Sequence, residues 1–266
     1  MNSTSIFCLD PDYLNQLACN YHENYINSRP FPHIVFDNFL PELILEKVWQ
    51  EFPEVNAIDW QKFEEKPEKK LASKNELEMG EMTRILLYQL NSSIFLQFLE
   101  NLTGIDGLIP DPYFEGGGLH QIERGGYLKI HADFNWHSKL RLHRRINVII
   151  YLNKNWQEEY GGHLQLWDKS MSSCIKKILP IFNRCVIFNT TDFSYHGHPE
   201  PLNCPEGQTR KSLALYYYSN GRPPAEIFHA HSTLFWARPG QQEDKSLPKK
   251  FFGLTFKTAL KKLLLR

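Results

Sequence analysis

His131 and Asp133 lie two residues apart in the run Gly125-Gly126-Tyr127-Leu128-Lys129-Ile130-His131-Ala132-Asp133, and His196, Arg210 and Ser212 follow far downstream. In an extended strand alternate residues share a face, so this imidazole and this carboxylate can grip one metal ion from one side. A third ligand must come from elsewhere in the chain, with His196 and His198 both available. Two imidazoles and one carboxylate on one face of an octahedron leave three adjacent positions open, which suits an iron(II) ion that takes a chelating co-substrate and dioxygen together. An H-x-D triplet alone is a weak signal, and a single downstream histidine is more often structural. The ordered set carries the reading: the glycine pair, the triplet, a strand-like run over 146–152, Gly161-Gly162, His196 and Arg210-Lys211-Ser212.

These residues resemble the 2-oxoglutarate and Fe(II)-dependent oxygenase superfamily, in its prolyl 4-hydroxylase-like branch. The resemblance runs through Gly126-Tyr127 to Asp133-Phe134, the stretch Arg145 to Asn153, Tyr160-Gly161-Gly162-His163-Leu164, Tyr195-His196-Gly197-His198-Pro199 and Arg210-Lys211-Ser212-Leu213, most of residues 115–222. A weaker match covers Pro30-Phe31-Pro32-His33-Ile34-Val35 and the helix-like 41–52. It implies a double-stranded β-helix (jelly roll) whose mouth holds iron on His131, Asp133 and His196. His196 is favoured over His198 because it stands directly before the glycine, which leaves His198 as an outer-shell or substrate-side group. The implied chemistry is hydroxylation of an unactivated C–H bond with 2-oxoglutarate and O2 as co-substrates, succinate and CO2 as products, and ascorbate as a supporting reductant. Related halogenases carry Gly or Ala at the position of Asp133, so a carboxylate there favours hydroxylation.

The far carboxylate of 2-oxoglutarate enters a partly dry barrel and needs a fixed cation, for which a planar guanidinium is well shaped. Arg210 matches the superfamily's Arg-x-Ser pattern, and Ser212, two residues on, shares its strand face and can add a hydroxyl. Tyr151 matches a tyrosine that reaches the same carboxylate in this branch. Asn147, four residues before Tyr151, shares that face, and Tyr127 and Gln121 are candidates for the rim of the co-substrate pocket. His120, His137, His143 and His163 are less suited as metal ligands, and the first three could face a substrate. The loop Asn135 to His143 mixes an aromatic plate with cationic and imidazole groups, as a rim or lid would.

These groups need a scaffold, and 266 residues with 42% hydrophobic and 14% aromatic content can bury a substantial core. The expected class is mainly β with flanking α: a single oxygenase domain over 1–266, with helical and strand support over 1–114, the jelly-roll core over 115–222 and a tail over 223–266. Helical spacing marks 11–27 and 41–52, each with a proline where a helix can begin, and two further helices between Ile85 and Leu102. Residues 61–82 turn polar and charged with no apolar period, which reads as a solvated loop or lid. Short strands follow over 119–122, 127–133, 146–152, 163–167, 174–179, 184–189 and 210–218.

Thirty basic and thirty acidic residues cancel, so nothing draws the chain as a whole to nucleic acid. The five cysteines are scattered without C-x-x-C spacing, which argues against a disulfide framework or a zinc ribbon. No basic, apolar leader begins the chain and no run reaches membrane-span length, so a cytoplasmic setting is expected. The partner is a peptide, a protein or a small-molecule substrate. A prolyl residue in a protein is the first expectation, a biosynthetic metabolite or free amino acid the second, and a non-catalytic metal-binding sensor or scaffold the third. Leu254 to Arg266 alternates leucines with basic residues at helical spacing, fit to pack on the domain or on the mate in a homodimer.

Overall fold

The computed structural model describes residues 6–242 and 244. Helix α1 (Pro11–Ile26) begins on Asp10, whose carboxylate accepts from the Asp12 and Tyr13 N–H groups at 3.0 and 3.1 Å. Strand β1 (His33–Asp37), helix α2 (Glu42–Gln50), a hairpin of β2 (Gln61–Phe63) and β3 (Glu68–Ala72), and helices α3 (Glu81–Leu90) and α4 (Ser93–Thr103) follow. Beyond them the regular elements, two short 3-10 turns aside, are strands joined by loops: β4 (Leu108–Pro110), β5 (Gly118–Ile122), β6 (Tyr127–Ala132), β7 (Trp136–His137), β8 (Leu142–Tyr151), β9 (Leu164–Trp167), β10 (Cys174–Ile178), β11 (Arg184–Asn189), β12 (His196–His198), β13 (Arg210–Ser219) and β14 (Leu234–Phe235).

The strands pair antiparallel into two faces of a jelly roll. One face runs β1-β11-β8-β13-β5 and the other β6-β12-β9-β10, with β3 between β5 and β6. Alternation along the central strands decides which side chain does what. On β13, Leu213, Leu215 and Tyr217 pack under the helices with Phe36, Leu45, Phe95 and Phe98, whereas Arg210, Ser212, Ala214 and Tyr216 line the barrel cavity. On β8, Ile146, Val148 and Ile150 join the helix-side core while Asn147 and Ile149 face the cavity. A second apolar cluster of Phe31, Tyr151, Leu164, Leu166, Ile178, Val186 and Phe188 fills the closed end between the faces. Burying that many large side chains, at about 1.5–3 kcal/mol each, gives the polar cavity a rigid frame.

One expectation is overturned. Residues 61–82 are not a solvated loop: β2 and β3 pair with each other, and β3 joins both faces, through Leu71 and Ala72 to β5 and through Glu68 and Lys69 to β6. A short edge hairpin needs no apolar period, because its backbone hydrogen bonds to two neighbours hold it while most of its side chains stay wet. The helices expected between Ile85 and Leu102 are α3 and α4, with α3 beginning earlier, at Glu81. The rim loop 135–143 is partly a hairpin too, β7 pairing with the start of β8. The amphipathic stretch from Leu254 to Arg266 lies outside the described residues. Among the described residues no helix is long and apolar enough to cross a membrane.

Candidate metal centre

His131 lies near the end of β6, Asp133 just beyond it, and His196 opens β12, which pairs with β6 so that His196 stands directly opposite His131. Their ligand atoms all lie within 4.8 Å of one another, and all three residues are buried. His131 Nε2 is 3.6 Å from Asp133 Oδ1, and His196 Nε2 is 3.5 Å from Oδ2. The Nδ1 atoms of His131 and His196 sit 2.9 Å from the carbonyl oxygens of Lys129 and Ser194. Only Nδ1–H can donate to a carbonyl, so this tautomer leaves each Nε2 lone pair free for a metal ion. Gly197 allows the close approach of β12 to β6: a Cβ there would meet the Leu128 and Lys129 carbonyl oxygens at 2.7 and 2.8 Å.

The carboxylate is held before any metal arrives. Asn147 Nδ2 donates to Asp133 Oδ2 at 2.7 Å, and Arg144 Nη2 lies 3.1 Å from the same oxygen. Asn147 Oδ1 in turn accepts from Arg144 Nε and Nη2 at 3.0 and 2.7 Å. Burial alone would raise the Asp133 carboxyl, but Arg144 and the two imidazoles more than offset it and hold it well below the ordinary carboxylate range. Burial and the neighbouring His131 push His196 down to about 4, which keeps it a neutral ligand. Asn147 therefore contacts the Asp133 carboxylate, a partner that its expected place in the barrel wall did not specify. Arg144 was not foreseen. Ile146 pairs with Tyr217 and Arg144 with Tyr218, so a bulge at Arg145 swings Arg144 onto the cavity side.

Next to the triad a cavity of about 70 Å³ is lined by Lys70, His120, Leu128, Ile149, Leu164, His198, Arg210 and Ser212. Arg210 is only 5% exposed. Its Nε donates to the Gly162 carbonyl at 2.9 Å and its Nη2 to the Tyr151 hydroxyl at 3.2 Å. Gly162 has φ +72° and a Cβ there would come within 3.0 Å of the Arg210 side chain, so glycine is what lets this carbonyl reach the guanidinium. Among the described residues no carboxylate pairs with Arg210, and burial pulls its pKa down with only the Tyr151 phenol in opposition. An uncompensated buried cation beside a neutral hydroxyl is an anion-binding arrangement. A second, larger hollow of about 170 Å³ shares His131 and Asp133 with this cavity and is walled by Phe63, Glu68, Lys70, Phe134, Arg144, Tyr216 and Thr233.

The remaining expected residues fall in different places. Tyr127 does not line the cavity, and its hydroxyl donates to the Lys66 carbonyl at 3.1 Å. Simple alternation from His131 would bring Tyr127 to the cavity, but β6 carries an extra residue between His131, opposite His196, and Leu128, opposite His198, so Leu128 takes the place. Gln121 is buried with Nε2 on the Thr209 hydroxyl at 2.8 Å, while its neighbours His120 and Ile122 line the cavity. Tyr151 touches the cavity through Arg210. His137 is buried with Nε2 3.5 Å from Asp111 and 3.3 Å from Glu115, His143 meets the edge of Trp136, and His163 lies 2.9 Å from Glu158. Lys70 escaped sequence reading because it belongs to the charged hairpin; it pairs with Glu68 at 3.1 Å at the cavity wall.

Residues 117–218, the stretch that holds the triad, Arg210 and the cavity walls, match the family model of the 2OG-Fe(II) oxygenase superfamily. Over that stretch the chain is similar to the superfamily. Prolyl 3-hydroxylase OGFOD1 of Mus musculus is 33% identical over 87 residues, 30% of this chain and 16% of that protein. Its counterpart from Xenopus laevis is 24% identical over 221 residues, 77% of this chain and 38% of that protein. The chain thus spans well under half the length of these curated relatives. A Pseudomonas putida prolyl-4-hydroxylase superposes with TM-score 0.57 at 16% identity, covering 77% of this chain and all (100%) of that one. A Trichoplax adhaerens prolyl hydroxylase, solved with a hypoxia inducible factor peptide fragment, superposes with TM-score 0.53 at 19% identity over 78% of this chain and 91% of its own. At such identities the likeness is one of fold. The superfamily uses iron(II), 2-oxoglutarate and O2, and the donor set here fits such groups: two Nε2 lone pairs and a restrained carboxylate suit a metal ion, and a guanidinium with no carboxylate partner among the described residues suits an anion.

Proposed function

We propose that this protein is an Fe(II)- and 2-oxoglutarate-dependent hydroxylase acting on a prolyl residue of a peptide or protein. The observation that carries the reading is the convergence on one cavity of a buried His131–Asp133–His196 face and an Arg210 guanidinium with no carboxylate partner. Bound iron and the 2-oxo acid would together activate dioxygen, passing one oxygen atom to a C–H bond and the other to succinate as CO2 leaves. The chain's own residues bind and orient. Arg144 and Asn147 hold the Asp133 carboxylate ionised and aimed at the metal position, while Lys129 and Ser194 fix the two imidazoles. Arg210, Ser212 and Tyr151 receive the far carboxylate of 2-oxoglutarate.

A prolyl substrate is supported by the larger hollow beside the triad. Phe63, Phe134 and Tyr216 supply aromatic rings there, and the Arg144 guanidinium lies over the Tyr216 and Phe134 rings at 3.4 and 4.4 Å. The curated relatives named prolyl 3-hydroxylase, and the neighbour solved with a peptide, point the same way. Free iron is kept reduced in a reducing compartment, which favours a cytoplasmic setting. The test is to incubate the iron-loaded protein with 2-oxoglutarate and a tryptic lysate and to read peptides by mass spectrometry. A gain of one oxygen on prolyl residues, dependent on 2-oxoglutarate and lost in His131→Ala, is expected. Succinate release with oxygen gained only on small metabolites would replace the prolyl reading, and no succinate under any condition would remove the enzyme.

A further inference from the structure

Most polar side chains around the inner cavity have a partner among the described residues or a metal-facing lone pair. His120 Nε2 lies 3.0 Å from the Gly116 carbonyl, Lys70 pairs with Glu68, and Arg210 spends two of its donors on Gly162 and Tyr151. His198 is different. It is 3% exposed, it lines the cavity, and neither of its ring nitrogens has a hydrogen-bond partner among the described residues. Among the described buried histidines it alone lacks a partner at both nitrogens, since His33, His131, His137 and His196 each engage Nδ1. A neutral imidazole holds one N–H that must find an acceptor when it leaves water, and buried polar groups without one call for an explanation.

Two positions narrow what that acceptor is. His198 does not belong to the group of ligand atoms that converge within 4.8 Å, so it is not a fourth metal ligand. It stands opposite Leu128, two residues along β12 from His196, a displacement of about 6–7 Å away from the metal end of the strand. It shares the cavity wall with Arg210, Ser212 and Lys70. It therefore sits at the cationic end of the cavity, where an anion is expected to lie.

We infer that His198 donates a hydrogen bond to the far carboxylate of the 2-oxo acid and, with Arg210 and Ser212, makes the cavity selective for 2-oxo acids that end in a carboxylate. This rests on the co-substrate reading proposed above. A carboxylate offers about four acceptor sites, enough for the guanidinium, the hydroxyl and the imidazole together. His198 is then a co-substrate-binding residue, and the loss of its donor costs affinity only for ligands that carry the far carboxylate.

The test compares 2-oxoglutarate with 2-oxopentanoate, which has the same five-carbon chain but a methyl group in place of that carboxylate. Binding of each to Mn(II)-loaded wild type, His198→Val and His198→Gln is measured anaerobically by calorimetry. The expected result is a loss of 2-oxoglutarate affinity on the order of tenfold or more in His198→Val, as for a hydrogen bond to a charged group. Binding of 2-oxopentanoate and of Mn(II) stays within about twofold, and His198→Gln, which keeps an N–H, recovers part of the loss. Equal losses for both ligands, or an unchanged preference, would overturn the assignment while leaving the co-substrate reading intact. A wild type with no preference for 2-oxoglutarate would overturn both. Should His198→Val fail to fold, the ring N–H resonance of His198 in the Zn(II)-loaded wild type gives the same answer: it must move on adding 2-oxoglutarate and not on adding 2-oxopentanoate.

Discussion

Replacing Arg210 by methionine separates co-substrate binding from folding, because the two respond differently. The guanidinium is buried, donates to Gly162 O and the Tyr151 hydroxyl, and meets no carboxylate among the described residues. In the ligand-free protein its removal leaves those two oxygens short of a donor, at about 1–3 kcal/mol each. It also relieves the burial of an unpaired cation, a penalty of several kcal/mol, so the two effects offset and the ligand-free melting temperature should move by only a few degrees. Binding has no such compensation. The far carboxylate of 2-oxoglutarate loses its charged partner in a dry cavity, a cost of about 2–5 kcal/mol. At tenfold per 1.4 kcal/mol, Arg210→Met should weaken 2-oxoglutarate by about 30-fold to 4,000-fold. Anaerobic titration of the Fe(II)-loaded proteins, following the metal-to-ligand charge-transfer band, reads this directly, with iron affinity as the internal control. Equal 2-oxoglutarate affinities would take Arg210 out of the site, and a ligand-free protein that loses tens of degrees would make it a structural cation.

Three further outcomes are expected. His131→Ala and His196→Ala should each lower Fe(II) affinity by more than the roughly 10–100-fold that loss of a supporting residue costs, whereas His198→Ala should leave it unchanged; the reverse pattern in equilibrium metal titrations would move the third ligand to His198. Asn147→Ala removes a donor from Asp133 and an acceptor from Arg144, and should weaken Fe(II) by about 10–100-fold with the far-ultraviolet circular dichroism preserved; an unchanged metal affinity would show that Arg144 alone holds the carboxylate. Asp37 on β1 takes two hydrogen bonds from Arg184, which hold its carboxyl below the usual range, so its contribution is present above the unfolded pKa of about 3.9 and is lost as pH falls through the lower folded value. The carboxylate is half exposed, which limits the effect to about 0.5 kcal/mol: Asp37→Asn should be less stable than wild type by that much in urea at pH 7, and the gap should close towards pH 3.

What the sequence determined on its own was everything that depends on residue type, order and simple alternation. The H-x-D triplet, the later histidine and the Arg-x-Ser pattern could be read in line, because each pair is two residues apart and strand periodicity puts such pairs on one face. Ser212 with Arg210 on β13, and Asn147 with Ile149 on β8, line the cavity by that rule. Tertiary structure decided what the rule cannot express. An extra residue on β6 gives the cavity Leu128 instead of Tyr127, and a bulge at Arg145 delivers Arg144 to the Asp133 carboxylate. A bulge shifts every side chain before it to the other face and leaves no mark in the pattern of residue types. The choice of face hid Gln121 and exposed His120 and Ile122, since both faces of a central strand are buried and apolar content does not tell them apart. Lys70 reaches the site from a hairpin whose sequence is as charged as a solvated loop, because its place is held by backbone hydrogen bonds to two sheets and not by apolar burial.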